Sequence, residues 1–271
     1  MKRWLLAAVC GVAALGLMLY PLVGEFLSEK YHSDIETVYT AAIADTDDTE
    51  LTAQREAARQ YNAMLSGAAI TEGGASAPPL PYAEQLAVGG IMAYVDIPKI
   101  DVYLPVQHGT DAETLKRAVG HVAGTSLPVG GSSTHAVLSA HSGMASSKLF
   151  SDIDQLTEGD TFYIHVLGEV LAYKVDAINT VLPTDTRLLQ IEEGKDYVTL
   201  VTCTPFGINT HRLLVRGHRV PYTSEQDAVA TETQKTASSW TQHYLTGVGI
   251  GLGVVAVGGG AYFWVRRARH A

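Results

Sequence analysis

Between residues 90 and 221 the chain is a succession of short runs rich in Val, Ile, Thr, Tyr and Leu, separated by Gly, Pro and Asp. The clearest runs cover residues 92–97, 102–107, 135–140, 161–167, 170–181, 197–202 and 213–220, and one short helical pattern, 111–118, interrupts them. A short strand buries little surface alone. Many short strands joined by turns must therefore curl into a closed barrel or stack as a sandwich. The spacing predicts an all-β dominated domain over residues 90–221.

The flanks are different. Residues 4–23 carry no charge and follow Met1-Lys2-Arg3. Residues 244–265 are also uncharged and close with Arg266-Arg267-Ala268-Arg269. Each run has about the 20 residues a helix needs to cross a bilayer. Positive charge outside both runs places both termini in the cytoplasm and the middle of the chain outside. The competing reading of the first run is a cleaved signal peptide. Its apolar stretch exceeds the usual signal core of roughly 7–15 residues, and no small-x-small cleavage site follows it. The glycines at 247, 249, 251 and 253 offer small-xxx-small spacings for helix packing, although glycine is common in membrane spans.

From residue 25 to about 67 the pattern is helical. Ser33 and Glu36 have the spacing of a capping box, and Ile35, Val38, Tyr39 and Ala42 recur at helical intervals. Asp45-Thr46-Asp47-Asp48 breaks the pattern before a second helix through residues 54–61. Residues 73–81, rich in Gly, Ala and Pro, read as loop. The expected organisation is an anchor at 4–23, a helical appendage with a loop at 25–89, the β domain at 90–221, a polar stalk at 222–243 and a second anchor at 244–265. A net charge of −9 argues against a nucleic-acid partner. The ten histidines fall into no metal-binding pattern, so neither metal nor cofactor is expected.

Cys203 is one of only two cysteines, and the other, Cys10, lies in the first apolar run. A thiol with no disulfide partner, at a strand end and ahead of the turn Thr204-Pro205-Phe206-Gly207, reads as a nucleophile. Alternation puts residues 199, 201 and 203 on one face and Val198, Leu200 and Thr202 on the other. In the next run Arg212, Leu214 and Arg216 share a face opposite Leu213 and Val215. If the two strands pair, Cys203 and Arg212 meet on one outer surface. Arg212 also fits a solvated strand-end charge. A thiol nucleophile needs an imidazole, and His141, ending a β run before Ser142-Gly143, is the candidate. His121 competes with it. His211 adjoins Arg212 but alternates to the opposite face.

The stretch Thr199-Leu200-Val201-Thr202-Cys203-Thr204-Pro205, with Asn209 and then Arg212-Leu213-Leu214-Val215-Arg216-Gly217, resembles the signature of sortases, specifically the class C, pilin-polymerising group. Supporting stretches are Asp96-Ile97-Pro98-Lys99-Ile100, residues 120–128 and Ser139-Ala140-His141-Ser142-Gly143. The likeness runs from residue 91 to 221, and the helical appendage and second apolar run also look like class C. The resemblance implies an eight-stranded sortase-type β-barrel with short helices, an N-terminal helical appendage and a transmembrane helix at each end. It implies Cys203 as nucleophile, His141 as general acid and base, and Arg212 as the group that holds substrate and stabilises the oxyanion.

The partners implied are pilin or surface proteins bearing a C-terminal sorting signal like Leu-Pro-x-Thr-Gly, a lysine amine of a second pilin as acceptor, and the lipid bilayer. The catalytic domain would lie outside the cell membrane. Rival readings are a housekeeping sortase that joins surface proteins to a cell-wall precursor, a hydrolytic cysteine protease, and a non-catalytic membrane assembly scaffold. Class C sortases usually carry an Asp-Pro-aromatic lid. Residues 68–74 have no such motif, and at Pro81-Tyr82 the aspartate is replaced by Leu80. The expectation is a groove that is open, or plugged by Ile70 or Tyr82. Leu127-Pro128-Val129-Gly130-Gly131 superficially resembles a sorting signal but sits mid-domain and reads as a turn.

Overall fold

The computed structural model describes residues 2–67, 80–144, 147–223 and 246–250. The chain divides into two compact units, Met1–Leu19 with Lys235–Ala271, and Tyr20–Gln234. Among the described residues no helix is long and apolar enough to cross a membrane. The backbone of the first apolar run lies within helix α1 (Lys2–Asp45), although most of that run's side chains, and the second run beyond residue 250, fall outside the described residues.

Eight strands form the larger unit's barrel: β1 (Ala93–Ile97), β2 (Val102–His108), β3 (Val119–His121), β4 (Thr134–Ser139), β5 (Thr161–Val166), β6 (Glu169–Val181), β7 (Asp196–Thr204) and β8 (His211–Val220). They close in the order β1-β2-β3-β4-β7-β8-β6-β5. The β2–β3 and β4–β7 pairs are parallel and the rest antiparallel. Closure removes the open sheet edges that would otherwise pair with other chains. The seven runs expected from sequence are all strands. The eighth, β3, holds only three residues with a glycine at its centre.

Alternate residues fill the barrel. Val95, Ile97, Val106, Leu138, Leu200 and Val215 are all fully buried in one core. Phe162 and Tyr173 stack at 5.7 Å between ring centroids. Gly217 of β8 makes that stacking possible, because a Cβ there would fall 2.7 Å from the Phe162 ring. In the β6–β8 pairing the register shifts between Val175 and Ala177, leaving Asp176 on a bulge.

The appendage departs from expectation at one point. α1 runs unbroken to Asp45, so the Ser33–Glu36 pair starts no helix. Tertiary contacts on both sides of that pair hold the helix to the barrel: His32 Nε2 donates to the Arg117 carbonyl at 2.7 Å, and Leu167 N donates to the Tyr39 hydroxyl at 3.0 Å. The break at residues 45–48 occurs as read. Asp47 caps α2 (Asp48–Leu65) by accepting from Thr49 N at 2.8 Å. α2 buries Leu51, Ala58 and Asn62 on one face. Asn62 clamps the chain at Leu127, donating to its carbonyl at 3.0 Å and accepting from its N–H at 2.7 Å. The Leu127–Gly131 stretch is therefore a buried structural turn, with Leu127 fully buried and Gly130 at φ 65. A short helix, α3 (Ala112–Leu115), is capped by Asp111.

Candidate active site

β4 and β7 run side by side in the same direction, and their last register pair is Ser139 with Val201. Two residues further along each strand stand His141 and Cys203. Hydrogen bonds extend the pairing to that level: Ala140 N donates to the Val201 carbonyl at 3.1 Å, Thr202 Oγ1 to the Ala140 carbonyl at 2.8 Å, and Ser142 Oγ to the Cys203 carbonyl at 2.7 Å. On the other side β7 meets β8 antiparallel, with Cys203 directly opposite Arg212. Register partners on neighbouring strands lie about 5 Å apart and point to the same face of the sheet. Cys203 thus sits at the end of the central strand of three, with His141 on one side and Arg212 on the other.

The thiol is free and half-buried, as are the His141 and Arg212 side chains. Val198 and Leu200 face the core, so alternation turns Cys203 to the outer face. The loop between β7 and β8 folds on itself, Ile208 N and Asn209 N both donating to the Pro205 carbonyl. Asn209 takes a left-handed conformation at φ 60. Arg212 Nη1 donates to the Asn209 and His211 carbonyls at 3.3 and 3.0 Å, which holds the guanidinium at the mouth of this loop. Phe206, 68 % exposed, lies against Gly143, where a Cβ would be 2.9 Å from the ring. The glycine following Ser142 therefore lets the β7–β8 loop close over the His141 loop.

The competing histidines are held elsewhere. His121 is fully buried, and its Nε2 donates to the Ser126 carbonyl at 2.9 Å. Its Nδ1 accepts from Tyr82 at 2.9 Å, and the Tyr82 oxygen also receives Gly109 N–H at 3.0 Å. Burial depresses the His121 pKa to about 4. His211 bonds locally with Thr210 at 3.0 Å.

Two features escaped the sequence reading. The outer face beside the thiol is not simply solvated: Val137, Val201 and Leu214 form a buried cluster apart from the main core, with Val122, Val181 and Leu189 packed around it. An apolar floor therefore leads away from Cys203. Arg216, on the same face of β8 as Arg212, binds bulge residue Asp176 at 3.0 Å and Glu192 at 3.3 Å, and stacks over Tyr197 at 4.1 Å. Together with His135 Nδ1, which donates to the Gln190 carbonyl at 2.9 Å, this network pins the β6–β7 connection as a wall over the floor. Alternation had put Arg216 beside Arg212, but no sequence signal shows that an acidic bulge faces it.

Comparison with known proteins follows the same outline. The sortase domain family matches residues 95–220. The chain is similar to sortase C1 of GBS pilus island 1, 41 % identical with a TM-score of 0.63, covering 71 % of this chain and 94 % of that one. The chain belongs to the sortase family. Within it the match is to class C, as a second solved structure shows: sortase C of Streptococcus pneumoniae is 43 % identical with a TM-score of 0.62, covering 69 % of this sortase and 96 % of that chain. Sortase D of Bacillus subtilis is 29 % identical over 135 residues, which span 49 % of this sortase and 65 % of that protein.

Proposed function

We propose that this sortase is a membrane-anchored extracellular cysteine transpeptidase that cleaves a C-terminal sorting signal and joins the acyl fragment to a lysine amine, polymerising pilin subunits. The carrying observation is Cys203 set in register between His141 and Arg212 at the ends of three adjacent strands. The Cys203 thiolate attacks the Thr carbonyl of the Thr–Gly bond, and the tetrahedral oxyanion accepts hydrogen bonds from the Arg212 guanidinium. The intermediate collapses to a thioester as the C–N bond breaks, and the His141 imidazolium gives its proton to the departing glycine amine. A lysine amine then attacks the thioester, neutral His141 takes the proton from that nitrogen, and the thiolate leaves with an isopeptide bond formed.

The pilin reading draws on the relatives, one named for a pilus island and another described for its pilin substrate specificity. The membrane reading draws on the uncharged runs at 4–23 and 244–265 and the positive residues outside them. Both anchors would leave the catalytic unit on the side where exported subunits arrive.

The test is to incubate the full chain with a Leu-Pro-Ala-Thr-Gly peptide and follow it by mass spectrometry, with Cys203→Ala as control. A Cys203-dependent thioester, converted to a ladder by added pilin, supports the proposal. A thioester that passes only to a cell-wall precursor amine favours the housekeeping role, and one that only hydrolyses favours a protease. A chain that forms no thioester has lost the enzymatic reading.

A further inference from the structure

The apolar floor does not end where a five-residue signal would. Beyond Val137 and Leu189 it opens into a cavity of about 730 Å³ on the same face of the barrel. Its apolar lining is Leu65, Val122, Leu189 and Ile191, with Ser133 and Thr125 supplying hydroxyls. Leu65 is contributed by the last turn of α2, so the helical appendage forms one wall. Glu193 is the one acidic side chain among the described lining residues.

Strand geometry places this cavity relative to the thiol. A strand advances about 3.3 Å per residue. Val137 therefore lies about 13 Å before His141 along β4 and His135 about 20 Å, with Ser133 in the turn before the strand. An extended donor with its Thr carbonyl at Cys203 reaches only about 10 Å back to the Leu of its motif. A donor laid back along β4 from the thiol would set the motif's Leu and Pro on the floor of Val137, Val201 and Leu214, where apolar side chains find apolar partners. In that direction the chain preceding the motif would leave across the cavity.

We infer that this cavity is a second donor subsite, taking the three or four residues immediately N-terminal to the sorting motif in extended form. The inference rests on the reading of the donor as a sorting-signal peptide. The lining selects neutral residues with aliphatic and hydroxyl side chains, and it disfavours acidic ones beside Glu193. Two structural ties hold its shape. Gly194 N donates to Ser133 Oγ at 3.0 Å, and the Arg216–Glu192 pair fixes the neighbouring turn of the β6–β7 connection.

The experiment compares thioester formation by the full chain with three blocked peptides: Leu-Pro-Ala-Thr-Gly alone, the same preceded by Thr-Val-Thr-Val, and the same preceded by Gly-Gly-Gly-Gly. The Thr-Val extension is expected to raise the second-order rate about tenfold, the scale of one aliphatic side chain leaving water. The Gly extension is expected to raise it less. Thr186→Trp, which fills the cavity from its lining, is expected to bring the ratio of extended to short peptide close to one. Equal rates for all three peptides in the unaltered chain would overturn the subsite and leave the sorting-signal reading intact. An extension that changed only the later transfer to an amine would assign the cavity to the acceptor, and so also overturn it. Absence of any thioester, from short and extended peptides alike, would remove the donor reading and the subsite with it.

Discussion

At the scale of single residues, the proposed site sets candidate reacting groups apart from groups that hold the fold. Cys203 and Arg212 face each other across one register pair, the placement that the proposed oxyanion role of the guanidinium needs. Arg212→Ala is expected to slow thioester formation by roughly a hundredfold to a thousandfold, the loss typical of removing one oxyanion donor. Arg212→Lys recovers little of it, because an ammonium cannot span the same positions. Single-turnover kinetics with a sorting-signal peptide will read both. His121 serves the fold instead. Its pKa is about 4 in the folded chain, against 6.5 for an unperturbed histidine. Below pH 6.5 the unfolded chain binds a proton that the folded chain refuses. Stability therefore falls as pH drops from about 6.5 to about 4, by up to about 3 kcal/mol. Denaturant titrations across that window should show the slope, and His121→Gln should reduce it, leaving the share of His32, His108 and His135, whose pKa values burial also lowers.

At the scale of elements, a buried polar side chain helps to dock α2, beside the contacts of Gln54 and Arg55. Asn62 satisfies both backbone groups of Leu127 in a buried setting. Asn62→Ala leaves that N–H and that carbonyl without partners and should cost about 2–4 kcal/mol, measurable by urea unfolding. Much at this scale was legible in the sequence. The seven longer strands showed through their alternation, and the break before α2 through Asp45–Asp48. The pairing of Cys203 with Arg212 followed from alternation once β7 and β8 were taken as neighbours. What stayed hidden depended on partners distant in the chain. β3 is three residues long and is a strand because β2 and β4 bracket it, not through any local preference. Ser33 and Glu36 have the pattern of a helix start, yet contacts from His32 and Tyr39 to the barrel favour a continuous helix. Leu214 shares a face with two arginines, and its burial depends on Val137 and Val201 from other strands.

At the scale of the whole molecule, barrel closure sets tight limits on volume. Gly217 admits the Phe162 ring, and Gly120 lies where a Cβ would sit 2.3 Å from the Gly109 carbonyl. Gly217→Ala should destabilise the barrel by about 1–3 kcal/mol as the aromatic pair shifts. Gly120→Ala meets backbone rather than a movable ring and should be worse, with the soluble yield of folded chain as the comparison. His141 just beyond β4, Cys203 on β7 and Arg212 on β8 make up the site, and His141 and Cys203 are far apart in sequence. No local segment can assemble them, because β5 and β6 lie between β4 and β7 in the chain and β4 pairs with β7 only in the folded barrel. A chain that has not closed the barrel therefore holds Cys203 apart from His141 and Arg212. On the proposed function, acyl transfer would begin only with completion of the barrel, and a misfolded copy would be inert towards its substrates.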